Sequence, residues 1–261
     1  MVETYMGTCP KAWKRALMYI FVHYDCKKWI IGFEKGNSGY EHLQFRFETS
    51  TKDFIGVPAK TDKKGRIIQE EIKSIPFKCG VPMHLEKCTD TWEYETKEGR
   101  YVCSWDTTRL LKNRFGKPKG WQKEALEGLR RQNDRQVDVW YDPIGNRGKS
   151  WLTGHLFETR EALIIPRDWT KASEISNYIV HNYKQQRIII IDIPRDHPIP
   201  DEFYLVVEMI KDGLVASTKW EGKMIHIDVA IGIFTNRMLN LKKLSQDRWS
   251  IHNVWTAAQD S

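Results

Sequence analysis

The sequence has no apolar run long enough to cross a lipid bilayer. A membrane-spanning helix needs about 20 apolar residues in a row, whereas the longest apolar runs here are residues 16–22 and 188–191. The first residues, MVETYMGTCPK, lack the apolar segment of a secretory signal. We therefore expect a soluble intracellular protein with no membrane partner.

Cysteine is scarce and poorly arranged for disulfide bonds. The five cysteines all lie before position 104, their number is odd, and no two of them form a CxxC pair. This pattern favours free thiols in a reducing compartment. A disulfide-rich scaffold is therefore excluded. The sequence also has no internal repeat and no low-complexity tract, which excludes a repeat protein.

Positive charge and apolar content are both substantial. Lys and Arg number 41 against 34 Asp and Glu, which leaves a formal net charge of +7, and 41% of the residues are hydrophobic. That apolar fraction supports folded cores and argues against global disorder. A basic balance of this size favours a polyanionic partner such as nucleic acid.

Basic residues are concentrated between positions 109 and 135, where nine of them stand against three acids. The Gly- and Pro-containing stretch FGKPKG, residues 115–120, is typical of a linker. We predict a first domain over residues 1–108, a basic linker over 109–120 and a second domain over 121–261. Helical spacing over 121–131 fits either a helix that docks on a neighbouring subunit or the first helix of the second domain.

The two predicted domains differ in their secondary-structure pattern. The first mixes helices with strands around a turn at 35–39, and the second alternates strands with helices around a Gly-rich loop. We therefore expect an α+β domain followed by an α/β domain. The predicted helices are 11–24, 67–75, 121–131 and 151–157, and the predicted strands are 29–34, 42–48, 101–105, 137–141, 188–193 and 225–234.

A metal site is indicated where two of these strands meet. His42 and Gln44 are two residues apart on a strand, so both side chains lie on one face. Glu34 ends the preceding strand and can add a carboxylate, whereas the alternative, Glu41, should face away from His42. A ligand set of this kind suits Mg²⁺ or Mn²⁺.

Tyr94 and Lys97 are spaced i, i+3 and would share one face of a helix. A tyrosine phenolate can attack a phosphodiester and become covalently phosphorylated. A lysine beside it can stabilise the phenolate or the charge that develops on the phosphate. Tyr101 is a competing nucleophile, but no lysine follows it at the same spacing.

The segment DPIGNRGKS, residues 142–150, predicts a phosphate-binding loop between a strand and a helix. It departs from the GxxxxGK[ST] pattern, because Pro143 occupies the first glycine position. A form of the pattern that is one residue longer fits better, and it has Asp142 where a glycine is usual. Backbone N–H groups of such a loop approach phosphate, while its lysine and serine reach the β/γ phosphates and Mg²⁺. The predicted ATP ligands in the loop are Gly145, Asn146, Gly148, Lys149 and Ser150.

Asp192 ends a run of four isoleucines, where a carboxylate would hold the water on Mg²⁺. Ile193 follows it instead of a second acid. Asp196 and Glu208 therefore remain alternatives for the residue that activates the attacking water.

The order of these motifs resembles the replication initiators of small circular single-stranded DNA viruses. The segments GYEHLQFRF (39–47), YETKEGRYVCSWD (94–106) and DPIGNRGKSWL (142–152) are most similar to the smacovirus group. The resemblance implies an α+β HUH endonuclease domain, with an antiparallel sheet flanked by helices, and an α/β P-loop, AAA+-like superfamily 3 helicase domain. It implies metal ligation by His42 and Gln44, a nucleophile motif at Tyr94 and Lys97, and a DNA-binding strand at residues 5–10.

The same resemblance assigns three further residues of the second domain. Asn236 would sense the γ-phosphate of ATP, Arg248 would act as an arginine finger, and Lys219 would lie in a DNA-contacting pore loop. The implied partners are single-stranded DNA with an origin stem-loop, further copies of the chain in a ring such as a hexamer, and the host replication machinery. The implied location is the host nucleus in a eukaryote and the cytoplasm otherwise.

Two other interpretations are open at this point. In the first, the chain is a nucleic-acid-binding ATPase without nuclease activity, and Tyr94 is structural. In the second, it is a non-catalytic DNA-binding relic of such an enzyme. Retention of His42, Gln44, Tyr94 and Lys149 in one chain argues against both interpretations.

Overall fold

The computed structural model describes residues 2–52, 54–89, 91–217 and 222–255, and it divides into two compact units. The first unit is Met1–Leu111 and the second is Lys112–Ser261. Within the described ranges, no helix is both long enough and apolar enough to cross a membrane.

The first unit is built on a five-stranded antiparallel sheet with the strand order β6-β1-β3-β2-β7. Its elements are β1 (Glu3–Pro10), α1 (Lys14–His23), β2 (Lys28–Lys35), β3 (Glu41–Thr49), β4 (Lys60–Thr61), β5 (Ile67–Gln69), α2 (Ile75–Lys78), β6 (His84–Lys87) and β7 (Tyr101–Cys103).

Alternation along β3 gives the sheet of the first unit two different faces. Leu43, Phe45 and Phe47 are buried in one cluster with Leu17 and Phe21 of α1. Residues between them on β3 point to the opposite face, because successive side chains of a strand alternate. That opposite face carries the polar residues of β3, among them His42 and Gln44.

The helix predicted over residues 67–75 was wrong. The structure has the short antiparallel pair β4–β5 there, with α2 beginning only at Ile75. Gly65, with a φ of 77°, lies in the connecting turn, and its N–H donates a hydrogen bond to the Asp62 carbonyl. The spacing of isoleucines fitted a helix, but the Gly-containing turn and the β-branched pair Ile67–Ile68 favour a hairpin.

The second unit contains a five-stranded parallel sheet with the order β14-β8-β13-β10-β9. The elements of the second unit are α3 (Thr108–Phe115, which begins in the first unit), α4 (Trp121–Arg131), β8 (Val137–Tyr141), α5 (Lys149–Glu158), β9 (Ala162–Ile165), α6 (Ala172–Asn182), β10 (Ile188–Asp192), α7 (Glu202–Lys211), β11 (Leu214–Ala216), β12 (Met224–His226), β13 (Ala230–Thr235) and β14 (Trp249–Asn253).

The strand predicted over residues 225–234 is divided in the structure, since β12 pairs with β11 while β13 joins the parallel sheet.

Both faces of this parallel sheet are covered. On β10, Ile189 and Ile191 lie in a cluster with α6 and α7, while Ile188 and Ile190 lie in a cluster with α4 and α5. Burial on both sides explains why β10 is continuously apolar instead of alternating. Because β8, β13 and β10 pair in parallel, their carboxyl ends lie at one edge of the sheet.

Candidate nuclease and nucleotide sites

Strand register places the first candidate site on the polar face of the antiparallel sheet. Glu34 on β2 is directly opposite His42 on β3, and Gly32 is opposite Gln44. Opposed residues of an antiparallel pair project to the same side, so Glu34, His42 and Gln44 share one face. Glu41, the alternative carboxylate, instead ion pairs with Lys11 at 2.7 Å.

Glu34 connects the two halves of this site. Its carboxylate is buried, and Oε2 lies 3.6 Å from His42 Nε2 and 2.9 Å from Lys97 Nζ. The side chains predicted as metal ligands and those predicted as the nucleophile pair therefore meet at a single carboxylate.

Tyr94 lies on a 3₁₀ turn, Tyr94–Thr96, rather than on an α-helix. Residues three apart eclipse each other in a 3₁₀ turn, and Lys97 Nζ accordingly donates a hydrogen bond to Tyr94 Oη at 3.0 Å. The Tyr94 side chain is 51% exposed, whereas the competing Tyr101 on β7 is 7% exposed. Of these two candidate nucleophiles, Tyr94 is therefore the exposed one.

The charge on Lys97 is stabilised by its neighbours. Partial burial lowers the pKa of Lys97, but its hydrogen bonds with Tyr94 and Glu34 outweigh burial and raise that pKa above its usual value. Lys97 is therefore an ammonium group at neutral pH and can stabilise negative charge on the phenolic oxygen of Tyr94.

The donor set on this face fits a divalent cation. Glu34 Oε1 is buried and has no hydrogen-bond partner, so one carboxylate oxygen beside His42 is free to bind a cation. Within the described ranges, no cluster of three or more His, Cys, Asp or Glu side chains suited to a metal ion occurs. The set here consists instead of one carboxylate, one imidazole and the amide of Gln44.

The second candidate site is the loop between β8 and α5. Gly145, Asn146 and Gly148 have φ values of 90°, 63° and 83°, which turn the backbone back on itself before α5 begins at Lys149. Such a turn at a helix N-terminus directs N–H groups toward an anion. The loop borders a cavity of about 370 Å³ that is also lined by Asp192 and Asn236.

Asp142 is the first residue of this loop. Its buried carboxylate accepts hydrogen bonds from Lys149 Nζ at 2.6 Å, Gly145 N at 2.8 Å and Trp255 Nε1 at 3.1 Å. Burial raises the pKa of Asp142, but the Lys149 ammonium and the Gly145 N–H outweigh burial and lower it overall. The residue that replaces the usual glycine therefore neutralises the lysine predicted to bind phosphate.

The predicted magnesium ligands lie together at the carboxyl edge of the parallel sheet. Arg167 ion pairs with Asp192, and its Nη2 lies 3.3 Å from Ser150 Oγ. Thr153 Oγ1 donates to the Asp192 carboxylate at 3.3 Å. The guanidinium of Arg167 thus lies between the Ser150 hydroxyl and the Asp192 carboxylate. These two side chains carry oxygen donors of the kind that Mg²⁺ prefers.

Asn236 directly follows β13, the strand beside β8. Its Nδ2 donates to the Asp142 carbonyl at 2.6 Å. Parallel pairing of the two strands therefore brings Asn236 to the loop between β8 and α5.

Arg248 lies at the amino end of the parallel strands, opposite the carboxyl edge that carries the loop. It precedes β14, which runs parallel to β8, and it ion pairs with Asp212 at 3.0 Å and Glu208 at 3.5 Å. The five residues of β8 span roughly 16 Å, too far for this guanidinium to reach the nucleotide of its own chain. An arginine-finger role therefore requires a neighbouring subunit. Lys219 lies outside the described residues.

Several residues of the candidate nucleotide site had no predicted role. Arg167 follows β9, which was not among the predicted strands. The sequence therefore gave no indication that Arg167 lies near the loop. Trp255 is far from the loop in sequence. Thr153 offered a weak signal, because it lies four residues after Lys149 on the same helix face.

The chain matches several curated replication proteins. It is 25% identical over 178 residues to the master replication protein of Faba bean necrotic yellows virus (isolate Syrian SV292-88), covering 63% of this chain and 56% of that relative. Para-Rep C9 of Faba bean necrotic yellows C9 alphasatellite is 28% identical over 180 residues, covering 65% and 62%. Para-Rep C6 of Subterranean clover stunt C6 alphasatellite is 30% identical over 134 residues, covering 49% and 45%.

Its homologues are Rep proteins of circular single-stranded DNA viruses and of alphasatellites. The chain spans roughly half to three-fifths of the length of these Rep relatives. No protein-family model matches it. The predicted kinship with viral replication initiators is confirmed at this level, while the smacovirus assignment stays a prediction.

Proposed function

We propose that the chain initiates rolling-circle replication by nicking and rejoining single-stranded DNA through a 5′-phosphotyrosine at Tyr94. The observation that carries the proposal is the series of contacts from His42 through Glu34 and Lys97 to Tyr94. It unites an exposed nucleophile with the donor set for a cation. The printed names of the relatives, master replication protein and Para-Rep, support a replication role.

In the proposed reaction, Tyr94 Oη forms a bond to the scissile phosphorus while the bond from phosphorus to the 3′ oxygen breaks. The phenol loses one proton and the departing 3′ oxygen gains one to become a hydroxyl, so the exchange is balanced and reversible. Lys97 stabilises the phenolate as it forms, and Glu34 orients Lys97. A Mg²⁺ or Mn²⁺ ion held by Glu34, His42 and Gln44 would polarise the scissile phosphate.

The second unit is proposed to be an ATP-dependent helicase of superfamily 3. The loop residues from Gly145 to Ser150 would bind the phosphates of ATP, with Lys149 on the β/γ phosphates. Ser150 and Asp192 would hold Mg²⁺, and Asn236 would contact the γ-phosphate.

Assembly and partners belong to the same proposal. The placement of Arg248 away from the loop of its own chain supports a ring, such as a hexamer, in which it contacts a neighbour's ATP. The proposed partners are single-stranded DNA, an origin stem-loop and the host replication machinery.

A nicking assay tests the nuclease proposal. The protein and the Tyr94→Phe and Tyr101→Phe variants are incubated with stem-loop DNA and Mn²⁺, and a denaturing gel resolves protein–DNA adducts. We expect the adduct with the original chain and with Tyr101→Phe, and none with Tyr94→Phe, which keeps the ring but lacks the nucleophilic oxygen.

An adduct that persists in Tyr94→Phe would contradict the assignment of the nucleophile. If no adduct forms on a broad set of stem-loops while ATP turnover is lost in Lys149→Ala, the alternative holds. The chain would then be a nucleic-acid-binding ATPase without nuclease activity.

A further inference from the structure

The turn that carries Tyr94 is docked on the sheet through its backbone. A Cβ atom added to Gly32 on β2 would lie 2.3 Å from the Glu95 carbonyl oxygen and 3.2 Å from the Glu95 carbonyl carbon. No ordinary side chain fits at such distances, so only glycine allows the turn to approach this strand. Gly32 lies between Ile30 and Glu34 on the same face of β2.

The same turn is also docked through the side chain of Glu95. Glu95 is 1% exposed, and its Oε1 accepts a hydrogen bond at 3.0 Å from Nε of Arg46, which is 4% exposed. Arg46 also donates to the Thr89 carbonyl through Nη1. A single buried guanidinium thus holds both the turn and the segment that leads into it.

Arg46 belongs to the strand that carries the predicted metal ligands. It lies two residues beyond Gln44 and four beyond His42 on β3, so the three share one face. The Arg46–Glu95 contact therefore connects the residue next to the nucleophile to the backbone that carries the metal-binding side chains.

We propose that Arg46 and Glu95 are positioning residues that set the distance between Tyr94 Oη and the cation held on β3. This inference rests on the proposed nuclease function. A buried ion pair adds little net stability compared with apolar residues of similar size, but its geometry is restrictive. Misplacement of a reacting group by about 1 Å can cost roughly 100-fold in rate.

The test replaces both partners with apolar side chains of similar length, as Arg46→Met/Glu95→Met. Replacing both avoids the unpaired buried charge that a single substitution would leave. The control is Lys28→Met/Glu48→Met, which removes a Lys–Glu ion pair of 3.6 Å that joins β2 to β3 and is more exposed than the Arg46–Glu95 pair. Three quantities are measured: the melting temperature, the affinity for fluorescent single-stranded DNA, and the single-turnover rate of adduct formation at saturating protein.

We expect the Arg46/Glu95 double variant to keep its melting temperature and DNA affinity while adduct formation slows about 100-fold. The single variant Arg46→Lys should form the adduct faster than the double variant but more slowly than the unmodified chain, because lysine keeps the charge but not the planar donor fork. The control pair should change none of the three quantities.

Two outcomes would overturn the positioning role. Adduct formation at the original rate in the double variant would show that the pair does not set the geometry. Loss of melting temperature and DNA affinity in proportion to the rate would show a merely structural role. Absence of an adduct with the unmodified chain would instead overturn the proposed nuclease function, and this inference with it.

Discussion

Asp142 shows how one substitution in a common pattern changes the chemistry of a loop. Where a glycine is usual, this chain has a fully buried carboxylate that binds Lys149 Nζ and the Gly145 N–H. A phosphate group that enters the loop must compete with that carboxylate for the lysine. Before any phosphate binds, the charge of Lys149 is therefore already balanced by the Asp142 carboxylate.

We predict that Asp142→Asn strengthens ATP binding about tenfold, which corresponds to about 1.4 kcal/mol. Asparagine keeps an oxygen for the Gly145 N–H but removes the charge that competes with phosphate for Lys149. Calorimetric titration with Mg²⁺ and ATP measures the affinity, and Lys149→Ala serves as the non-binding control. A weaker affinity in Asp142→Asn would mean that the carboxylate organises the loop instead of competing for the lysine.

At the scale of elements, the candidate nuclease site depends on how closely a turn can approach a strand. The Tyr94–Thr96 turn reaches β2 only because position 32 has no Cβ. Gly36, just beyond the end of β2, is different, since an added Cβ would find its nearest neighbour, the Tyr40 carbonyl oxygen, at 3.7 Å. The two glycines therefore form a natural comparison.

We predict that Gly32→Ala lowers the free energy of unfolding by about 1–3 kcal/mol, as expected for overpacking. It should also reduce adduct formation, because the turn that carries Tyr94 must move away from β2. Gly36→Ala should leave both quantities close to those of the unmodified chain. Urea unfolding and the gel assay measure them, and equal behaviour of the two variants would contradict the close-approach argument.

At the scale of the whole molecule, each unit has its own hydrophobic cores. Among the described residues, the two clusters of the first unit lie between Tyr5 and Cys103, and those of the second lie between Trp121 and Val254. A ligand specific to one unit should therefore stabilise that unit by mass action.

We predict that nucleotide and DNA stabilise different unfolding transitions. In differential scanning calorimetry, Mg²⁺ with ADP at about 100 times its Kd adds about 2.7 kcal/mol to the unit that binds it, a shift of about 5–10 °C. Stem-loop DNA should shift the other transition. Lys149→Ala should abolish the nucleotide shift alone, and a nucleotide shift of both transitions would contradict this separation.

Local patterns were enough to predict β8, α4 and the Gly-containing turn between β8 and α5, because Gly and strand–helix signals act over a few residues. The hairpin β4–β5 was missed, since its isoleucines also fit a helical period. Arg46 and Glu95 were not predicted to meet, because 49 residues separate them in sequence. Their contact depends on strand pairing, which a single sequence does not reveal.

The sequence by itself determined the residue types that can do chemistry, their order and the two kinds of domain. Alternation on β3 is a property of any strand, and it alone put His42 and Gln44 on one face. Only the tertiary structure decided that Glu34 contacts both His42 and Lys97, and that Asp142 neutralises Lys149. The reason is physical: charges that are far apart along the chain interact strongly only where strand register and burial bring them close together and away from water.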